Sequence, residues 1–303
     1  MSSLRMMTVE RTIPAFRAAR KALTGTVGFV PTMGALHLGH MSLVKEALRH
    51  NDHVVASIFV NPKQFGPTED LDKYPRTFES DSRMLRDLGV STIFAPNIAD
   101  MYAPKYCTYV DPVDFASTRE GLCRPGFFRG VATVVTKLFN VVQPTNVYFG
   151  QKDAVQCAVI RRIVADLNIP TVVNVMPTIR EADGLAMSSR NAYLTPLERA
   201  KAGVVHRALR AGQEAWERGT REGGGRVPSG AIQEAVERVL RTEPLIENVQ
   251  YVAVDDRDTM LEMKDVGEEG CCVSLAVKCG SVRLIDNFIF DTFDKKLSDH
   301  ARR

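Results

Sequence analysis

The sequence predicts an α/β protein in which a doubly wound parallel β-sheet is followed by a smaller C-terminal α+β domain. Before Pro177, short apolar runs alternate with segments of helical periodicity, a pattern typical of βαβ units and a parallel sheet. After Pro177 this alternation stops, and three β-rich runs lie near the C-terminus. We therefore predict two domains, residues 1–179 and residues 180–303.

Apolar runs of the first domain predict strands, and the segments between them predict helices. HVVASIFV at residues 53–60 is representative, because an unbroken apolar run is typical of a strand buried on both faces. The predicted strands lie at residues 27–30, 53–60, 90–95, 146–149 and 171–176. The predicted helices, with helical spacing of their apolar residues, lie at residues 40–50, 81–88, 131–142 and 154–168. This alternation indicates a Rossmann-like sheet.

The N-terminal segment allows two interpretations. Residues 1–23 carry five basic side chains against a single acid, a balance seen in organelle transit peptides. Apolar residues also recur there at helical spacing, at Ile13, Phe16 and Ala19, and lead directly into the first predicted strand. We favour a first helix that is an integral part of the fold.

The second domain is predicted from a polar loop, two helices and the β-rich runs. The predicted helices lie at residues 196–218 and 231–241, and the predicted strands at residues 249–254, 272–277 and 282–290. GTREGGGRVPSG at residues 219–230 separates the two helices. Because its glycines are frequent, we expect a flexible linker there.

Composition indicates a globular protein with an ordinary surface. Hydrophobic residues make up 45% of the 303 residues, and the net charge is only +3, with both signs interspersed. No footprint for nucleic acid or a membrane surface stands out, and no apolar run approaches the roughly 20 residues that span a bilayer. The six cysteines form no CxxC pair, which favours reduced thiols and a cytoplasmic location.

Two histidines at the first predicted strand-to-helix turn are the leading candidates for catalysis. His37 and His40 are three residues apart, and therefore lie on one face once a helix begins. A helix N-terminus offers amide donors to phosphates, and Gly39 removes a side chain that would hold a ligand away. Imidazoles there can stabilise charge that develops on a triphosphate, whereas the alternative is a pair of histidines that only cap the helix.

Four further stretches carry polar groups suited to ligands. FGQKD places Lys152 and Asp153 at the end of a strand, although Asp153 serves equally well as a helix cap. DGLAMSSRN is either a phosphate-binding loop that closes over a nucleotide or a solvated turn. In VNPKQF, Asn61 and Gln64 could bind a small polar substrate, or the stretch could be an ordinary turn. RPGFFRG supplies Arg124, an anchor for an anion or part of a solvated loop mouth.

These stretches together resemble one family, the pantothenate synthetases or pantoate–β-alanine ligases, within the HIGH-motif nucleotidyltransferase-like superfamily. The motifs in that family's order and approximate spacing are PTMGALHLGH, SIFVNPKQF, YPRT, RPGFFRGVATVV, KLFN, FGQKD, DGLAMSSRN and RLIDN. The resemblance extends from about residue 10 to residue 290. The resemblance rests on the whole series of motifs, since no single short motif would establish it.

The resemblance implies a ligase that uses ATP to convert pantoate to pantoyl-adenylate and pyrophosphate, and then joins it to β-alanine to give pantothenate and AMP. It also implies Mg²⁺ accompanying ATP and a homodimer. A nucleotidylyltransferase of the same superfamily is the alternative, because it shares the fold and the two-histidine helix start. It would not need glutamines that bind pantoate. A tRNA synthetase and a non-catalytic nucleotide-binding module are less favoured.

The resemblance also assigns residues. It makes His40 the proton donor and gives His37 and Lys152 catalytic roles. It places ATP against Met33, Gly34, Ala35, Leu36, His37, Leu38, Gly39, His40, Gly150, Gln151, Lys152, Asp153, Ile179, Met187, Ser188, Ser189 and Arg190. It places pantoate and β-alanine against Asn61, Gln64 and Gln156. It assigns no metal ligand among the side chains.

The sequence departs from the family pattern in two places that bear on the site. Val155 stands where many members have a second polar residue, usually glutamine. Ala186 and Met187 stand where the superfamily's tRNA synthetases have a lysine before the serines. Neutralisation of phosphate charge is therefore expected to depend on Lys152 and Arg190.

Overall fold

A computed structural model describes residues 7–67, 69–222 and 225–291. The chain forms two compact units. The described residues of the first unit lie within Met1–Ser117, Arg124–Gln151 and Val159–Ile179. Those of the second unit lie within Thr118–Cys123, Lys152–Ala158 and Arg180–Arg303.

The first unit is built on a parallel sheet, as predicted. Its strands in the described residues are β1 (Thr8–Glu10), β2 (Val27–Thr32), β3 (His53–Ile58), β4 (Thr92–Phe94), β5 (Asn146–Gly150) and β6 (Val172–Met176). Their order across the sheet is β1-β4-β3-β2-β5-β6, and every pairing is parallel. The edge strand β1 was not predicted, because three residues are too few to show a period.

The strand order creates a switch point between β2 and β5. From β2 the chain proceeds outward through β3 to β4, and later from β5 outward to β6 in the opposite direction. The two strands pair directly, with Gly28 opposite Asn146 and Phe29 opposite Val147. Because all the strands are parallel, their carboxyl ends share one edge, and doubly wound sheets bind ligands there beside the switch point.

Helices alternate with these strands along the chain. They are α1 (Ile13–Lys21), α2 (Leu38–His50), α3 (Phe78–Leu88), α4 (Ile98–Met101), α5 (Arg119–Cys123), α6 (Phe127–Val142) and α7 (Ala154–Asp166), of which α5 and the start of α7 belong to the second unit. Val44 of α2 and Leu85 of α3 are fully buried in one cluster with Val30 and Ile93 of the sheet.

The integral first helix is confirmed. Phe16 of α1 is fully buried and packs on Phe94 of β4, with ring centroids 4.7 Å apart. Thr12 caps the helix by accepting a hydrogen bond from the Ala15 N–H. A ring this large contributes about 1.5–3 kcal/mol when buried, so α1 is part of the core of the first unit.

The second unit is the smaller α+β unit that was predicted. Its further elements are α8 (Pro196–Lys201), α9 (Val204–Glu222), β7 (Val227–Pro228), α10 (Ser229–Leu240), β8 (Ile246–Asp255), β9 (Asp265–Val266), β10 (Cys271–Cys279) and β11 (Val282–Phe290). An antiparallel sheet has the order β11-β10-β8. Its apolar face packs on α9 and α10, where Trp216 stacks on Phe290 with centroids 5.4 Å apart.

Two predictions for this unit were wrong in detail. The helix predicted at residues 196–218 is two helices, because the chain turns at Ala202 and Gly203. A Cβ on Gly203 would lie 3.0 Å from the Asp183 carboxylate, so a larger residue there would crowd Asp183.

The expected flexible linker at residues 219–230 is largely regular structure. Helix α9 continues to Glu222, β7 pairs with β9, and α10 begins at Ser229. A Cβ on Gly219 would lie 2.6 Å from a methyl group of Val227, so this glycine permits close packing and does not add flexibility. Residues 223 and 224 lie outside the described residues.

Candidate active site

A buried carboxylate holds the loop between β2 and α2. Gly34 and Ala35 have left-handed backbone, with φ of 86° and 50°. Asp81 of α3 is 1% exposed, and its oxygens accept hydrogen bonds from the N–H of Ala35 (3.0 Å) and Leu36 (2.9 Å) and from the Thr77 hydroxyl (3.1 Å). A Cβ on Gly34 would lie 3.1 Å from this carboxylate. The loop conformation therefore depends on Asp81.

The two histidines form the cap of α2. His37 Nδ1 accepts a hydrogen bond from the Gly39 N–H (3.1 Å), and the His37 N–H donates to His40 Nδ1 (3.3 Å). The rings lie side by side, with centroids 4.1 Å apart. Because both Nδ1 atoms accept, the neutral rings carry their protons on Nε2. Each histidine therefore has an Nε2–H donor at the positive end of the helix, where phosphate oxygens bind favourably.

Asn61 and Gln64 lie together after β3. Asn61 caps a 3-10 turn at Pro62–Gln64, and its Nδ2 donates to Gln64 Oε1 over 3.0 Å. Asn61 is 1% exposed, whereas Gln64 is half-buried. Thr32 of β2 is in register with Ile58 of β3, so this turn and the histidine loop leave the sheet at the same edge. The arrangement makes Gln64 the more accessible of the two amides.

The other predicted nucleotide residues of the first unit follow β5 and β6. A Cβ placed on Gly150 would meet no described atom within 4 Å, so open space lies in front of its backbone. The Gln151 N–H donates to the Met176 carbonyl over 2.8 Å and ties the ends of these two strands together. Ile179 lies three residues beyond β6. Since β5 is next to β2, these groups and the histidine cap lie beside the same switch point.

Lys152, Asp153 and Gln156 lie at the start of α7, in the second unit. The Asp153 carbonyl accepts a hydrogen bond from the Cys157 N–H (2.9 Å), as expected of a residue at a helix start. The Lys152 carbonyl accepts from Asn287 Nδ2 (2.8 Å), and Asn287 is 3% exposed. Gln156 is half-buried, whereas Val155 is buried and serves packing.

The predicted phosphate-binding loop, residues 183–191, begins within a short hairpin and ends in a 3-10 turn, both in the second unit. Arg180 and Ala186 form the closing bridge of the hairpin, and the Arg180 guanidinium makes a two-pronged ion pair with the buried Asp286 carboxylate at 2.6 and 3.0 Å. Ser188 begins the 3-10 turn Ser189–Tyr193 by accepting a hydrogen bond from the Arg190 N–H. Its hydroxyl hydrogen can still donate. Met187 precedes this turn, and Met187 and Ser188 are both half-buried.

The Arg124 side chain is paired within the first unit and is only 14% exposed. Its Nε and Nη2 each contact the Glu69 carboxylate at 2.7 Å, and Nη2 also donates to the Gln64 carbonyl at 3.2 Å. The guanidinium lies over the Phe127 ring, 3.6 Å from its centroid. This side chain therefore stabilises the 3-10 turn that carries Gln64.

Sequence reasoning missed several residues that hold the candidate groups in place. Asp81 supports the histidine loop, Arg124 supports the turn of Gln64, and Asn287 supports the Lys152 backbone. Asn287 belongs to the RLIDN motif, which the resemblance had marked without a role. For Asp81 the only local signal is its position in the first turn of a helix, where acids are common.

Among the residues described, no group of three His, Cys, Asp or Glu side chains could hold a metal ion. Nor is any helix in the described ranges long and apolar enough to cross a bilayer.

The parallel sheet and its switch point place the first unit in the class of doubly wound α/β proteins. The chain matches the family model for pantoate-beta-alanine ligase over residues 6–289. It is 51% identical over 285 residues to the pantothenate synthetase of Roseiflexus castenholzii, in a match that covers 94% of this chain and 100% of that one. The chain therefore belongs to the pantoate-beta-alanine ligase family, as the motifs had indicated.

Solved structures agree with this assignment. Pantothenate synthetase from Thermus thermophilus is 44% identical, with a TM-score of 0.85 over 94% of this chain and 100% of that chain. Pantoate-beta-alanine ligase from Francisella tularensis, solved in complex with beta-gamma ATP and beta-alanine, is 34% identical, with a TM-score of 0.75 over 93% and 97% of the two chains.

Proposed function

We propose that this chain condenses pantoate with β-alanine to form pantothenate, using ATP and releasing AMP and pyrophosphate. The observation that carries the proposal is the family match over residues 6–289, which includes the histidine cap, the turn of Gln64 and the RLIDN motif. The Francisella tularensis relative was solved with beta-gamma ATP and beta-alanine, which supports the same substrates here.

The first step activates the acid. A carboxylate is a poor acyl donor until one of its oxygens can leave as part of a better leaving group. We infer that a pantoate carboxylate oxygen attacks the α-phosphorus of ATP, so that pyrophosphate leaves and pantoyl-adenylate forms. The Nε2–H groups of His37 and His40 and the N-terminus of α2 are suited to bind phosphate oxygens as their charge increases.

The second step forms the amide. The β-alanine amine attacks the acyl carbon of pantoyl-adenylate, the bond from that carbon to the AMP oxygen breaks, and the nitrogen loses a proton. Holding the two reactants in line supplies much of the acceleration, because a bimolecular encounter becomes an intramolecular one.

Each predicted residue has a role in this scheme. His40 acts as the proton donor, His37 contacts a phosphate oxygen, and Lys152 neutralises phosphate charge together with Arg190. Gln64, Gln156 and Asn61 serve the binding of pantoate and β-alanine, Asn61 from its buried position beside Gln64. The nucleotide lies against residues 33–40, 150–153 and Ile179, and residues 187–190 close over its phosphates.

Five further features belong to the proposal. Mg²⁺ accompanies ATP through its phosphate oxygens, and its protein ligands are left unassigned. The enzyme is a homodimer in the cytoplasm. Residues 1–179 bind ATP and pantoate, while residues 180–303 act as a lid. The helix start of His37 and His40 is the HIGH motif of the superfamily.

The deciding assay follows AMP and pyrophosphate with ATP, pantoate and β-alanine present, and then with each omitted in turn. We expect AMP to depend on all three, and pantoate-dependent exchange of pyrophosphate into ATP to proceed without β-alanine. ADP as product, or turnover indifferent to pantoate, would contradict the proposal. A nucleotidylyltransferase would instead retain AMP in its product.

A further inference from the structure

A buried hydrogen-bond relay in the first unit ends at Gln64. The Tyr102 hydroxyl donates to Asn61 Oδ1 over 2.7 Å. Asn61 Nδ2 donates to Gln64 Oε1 over 3.0 Å and to the Gly130 carbonyl over 3.1 Å. Asn61 is 1% exposed and Tyr102 is 9% exposed. The relay is therefore largely protected from competing water.

The direction of this relay is fixed by its partners. The Gly130 carbonyl can only accept, so the Asn61 atom that faces it must be the NH₂ group. The Asn61 oxygen faces two donors, the Tyr102 hydroxyl and the Lys63 N–H at 3.3 Å. Burial raises the pKa of Tyr102 above its ordinary value, so its hydroxyl keeps its proton. It donates here because the Asn61 atom that faces it is the oxygen.

The fixed direction determines what Gln64 presents to a ligand. Its Oε1 accepts from Asn61, which leaves the Nε2 hydrogens as the donor end of the side chain. A carboxylate accepts hydrogen bonds and cannot donate them. An amide turned the other way would place its carbonyl oxygen against a carboxylate oxygen, with neither atom able to donate.

We propose that Tyr102 is a positioning residue for pantoate: together with the Gly130 carbonyl and the Lys63 N–H, its hydroxyl holds the Asn61 amide in place, and Asn61 thereby keeps the NH₂ group of Gln64 turned toward the acid. This inference rests on the proposed function. Tyr102 does not touch the substrate in this account, and acts only through Asn61 and Gln64.

The backbone of Gln64 is held separately, so the relay governs the side chain alone. The Arg124 guanidinium, paired with Glu69, donates to the Gln64 carbonyl. A Cβ on Gly130 would lie 2.1 Å from the Lys63 carbonyl oxygen, so the turn packs directly on the backbone of α6. Because the main chain is fixed in this way, Asn61 controls only the orientation of the Gln64 side-chain amide.

The test is Tyr102→Phe, which removes the hydroxyl and keeps the ring. The ring contacts to Phe59 and Tyr106, with centroids 6.3 and 5.0 Å away, are retained. We expect the pantoate KM to rise about tenfold, the effect of one lost hydrogen bond of ordinary strength, with the ATP KM within about twofold of wild type. The matched control is Tyr106→Phe, the same chemical change in a ring whose hydroxyl is outside the relay.

A double-mutant cycle with Gln64→Ala separates positioning from general loss of structure. If Tyr102 acts through Gln64, adding Tyr102→Phe to Gln64→Ala should change the pantoate KM by less than about twofold. An undiminished cost in that background, or a rise in both the pantoate and ATP KM with a matching fall in melting temperature, would overturn the proposal. So would equal pantoate KM values for Tyr102→Phe and Tyr106→Phe.

The same assays distinguish failure of this inference from failure of the proposed function. A wild-type enzyme that makes pantothenate, together with a Tyr102→Phe variant of unchanged pantoate KM, would refute only the positioning role. A wild-type protein that forms no AMP from ATP and pantoate would overturn the proposed function, and the positioning role with it.

Discussion

Replacing Asp81 with asparagine tests whether a buried carboxylate holds the candidate ATP loop. Its two oxygens accept three hydrogen bonds, from the N–H groups of Ala35 and Leu36 and from the Thr77 hydroxyl. Asparagine offers one oxygen, so its NH₂ group would face one of the two backbone N–H donors. The loss of one charged hydrogen bond and the unpaired buried N–H together cost about 3 kcal/mol of unfolding free energy.

Urea unfolding of Asp81→Asn measures that cost, and steady-state kinetics measure the consequence for ATP. Because residues 33–40 would lose their tether, we expect the ATP KM to rise more than the pantoate KM. Asp87→Asn is the matched control, since Asp87 is exposed on the same helix, and such surface changes stay within about 0.5 kcal/mol. Asp81→Asn with wild-type stability and an unchanged ATP KM would refute the reasoning.

Three further predictions address catalysis, pH and thiol chemistry. His40→Ala should cost no more than about 1 kcal/mol of stability, for its hydrogen bond in the α2 cap, and should remove about 2–4 kcal/mol of transition-state stabilisation; near-normal pyrophosphate release would contradict this. Burial, followed by the nearby Glu262, raises the pKa of Asp255 from 3.8 to about 7, so the folded state binds the extra proton. Stability from Asp255 should therefore fall as pH rises from 4 to 8, by on the order of 4 kcal/mol, and a urea series on Asp255→Asn should lack this slope. Ellman's reagent should modify two thiols in the folded protein, Cys107 and Cys123, and all six in urea. Both of these cysteines are exposed, but partial burial raises the pKa of Cys123, so Cys107 should react first. More than two fast-reacting thiols before unfolding would contradict the burial of the other four.

The order of strands and helices could be predicted because it depends on short-range periodicity. Apolar runs such as residues 53–60 become buried parallel strands, and the helical spacing of Ile13, Phe16 and Ala19 becomes α1. The glycine content of residues 219–230 led to the wrong prediction of a flexible linker, because composition does not show which glycines permit close packing. Gly219 lies within α9, where the absence of a side chain lets Val227 pack against the helix, a contact that no local pattern reveals.

The candidate site also has a part that the sequence could predict and a part that it could not. The histidine cap could be found from sequence, since a spacing of three residues at a helix start places both rings on one face, and the structure brings their centroids to 4.1 Å. The residues that support the site could not be found from sequence, because their hydrogen-bond partners are distant in the chain. Asp81 lies 45 residues from Leu36, and Asn287 lies 135 residues from Lys152.

The sequence by itself determined the fold class, the family and the list of candidate residues, because these follow from periodicity and from motifs in a fixed order. Only the tertiary structure decided how those residues are held: the orientation of the Asn61 amide by the Gly130 carbonyl, 69 residues away, the pairing of Arg124 with Glu69, and the anchoring of the histidine loop by Asp81. Hydrogen-bond partners of this kind are set by the packing of whole elements, and packing brings together residues that no local pattern connects.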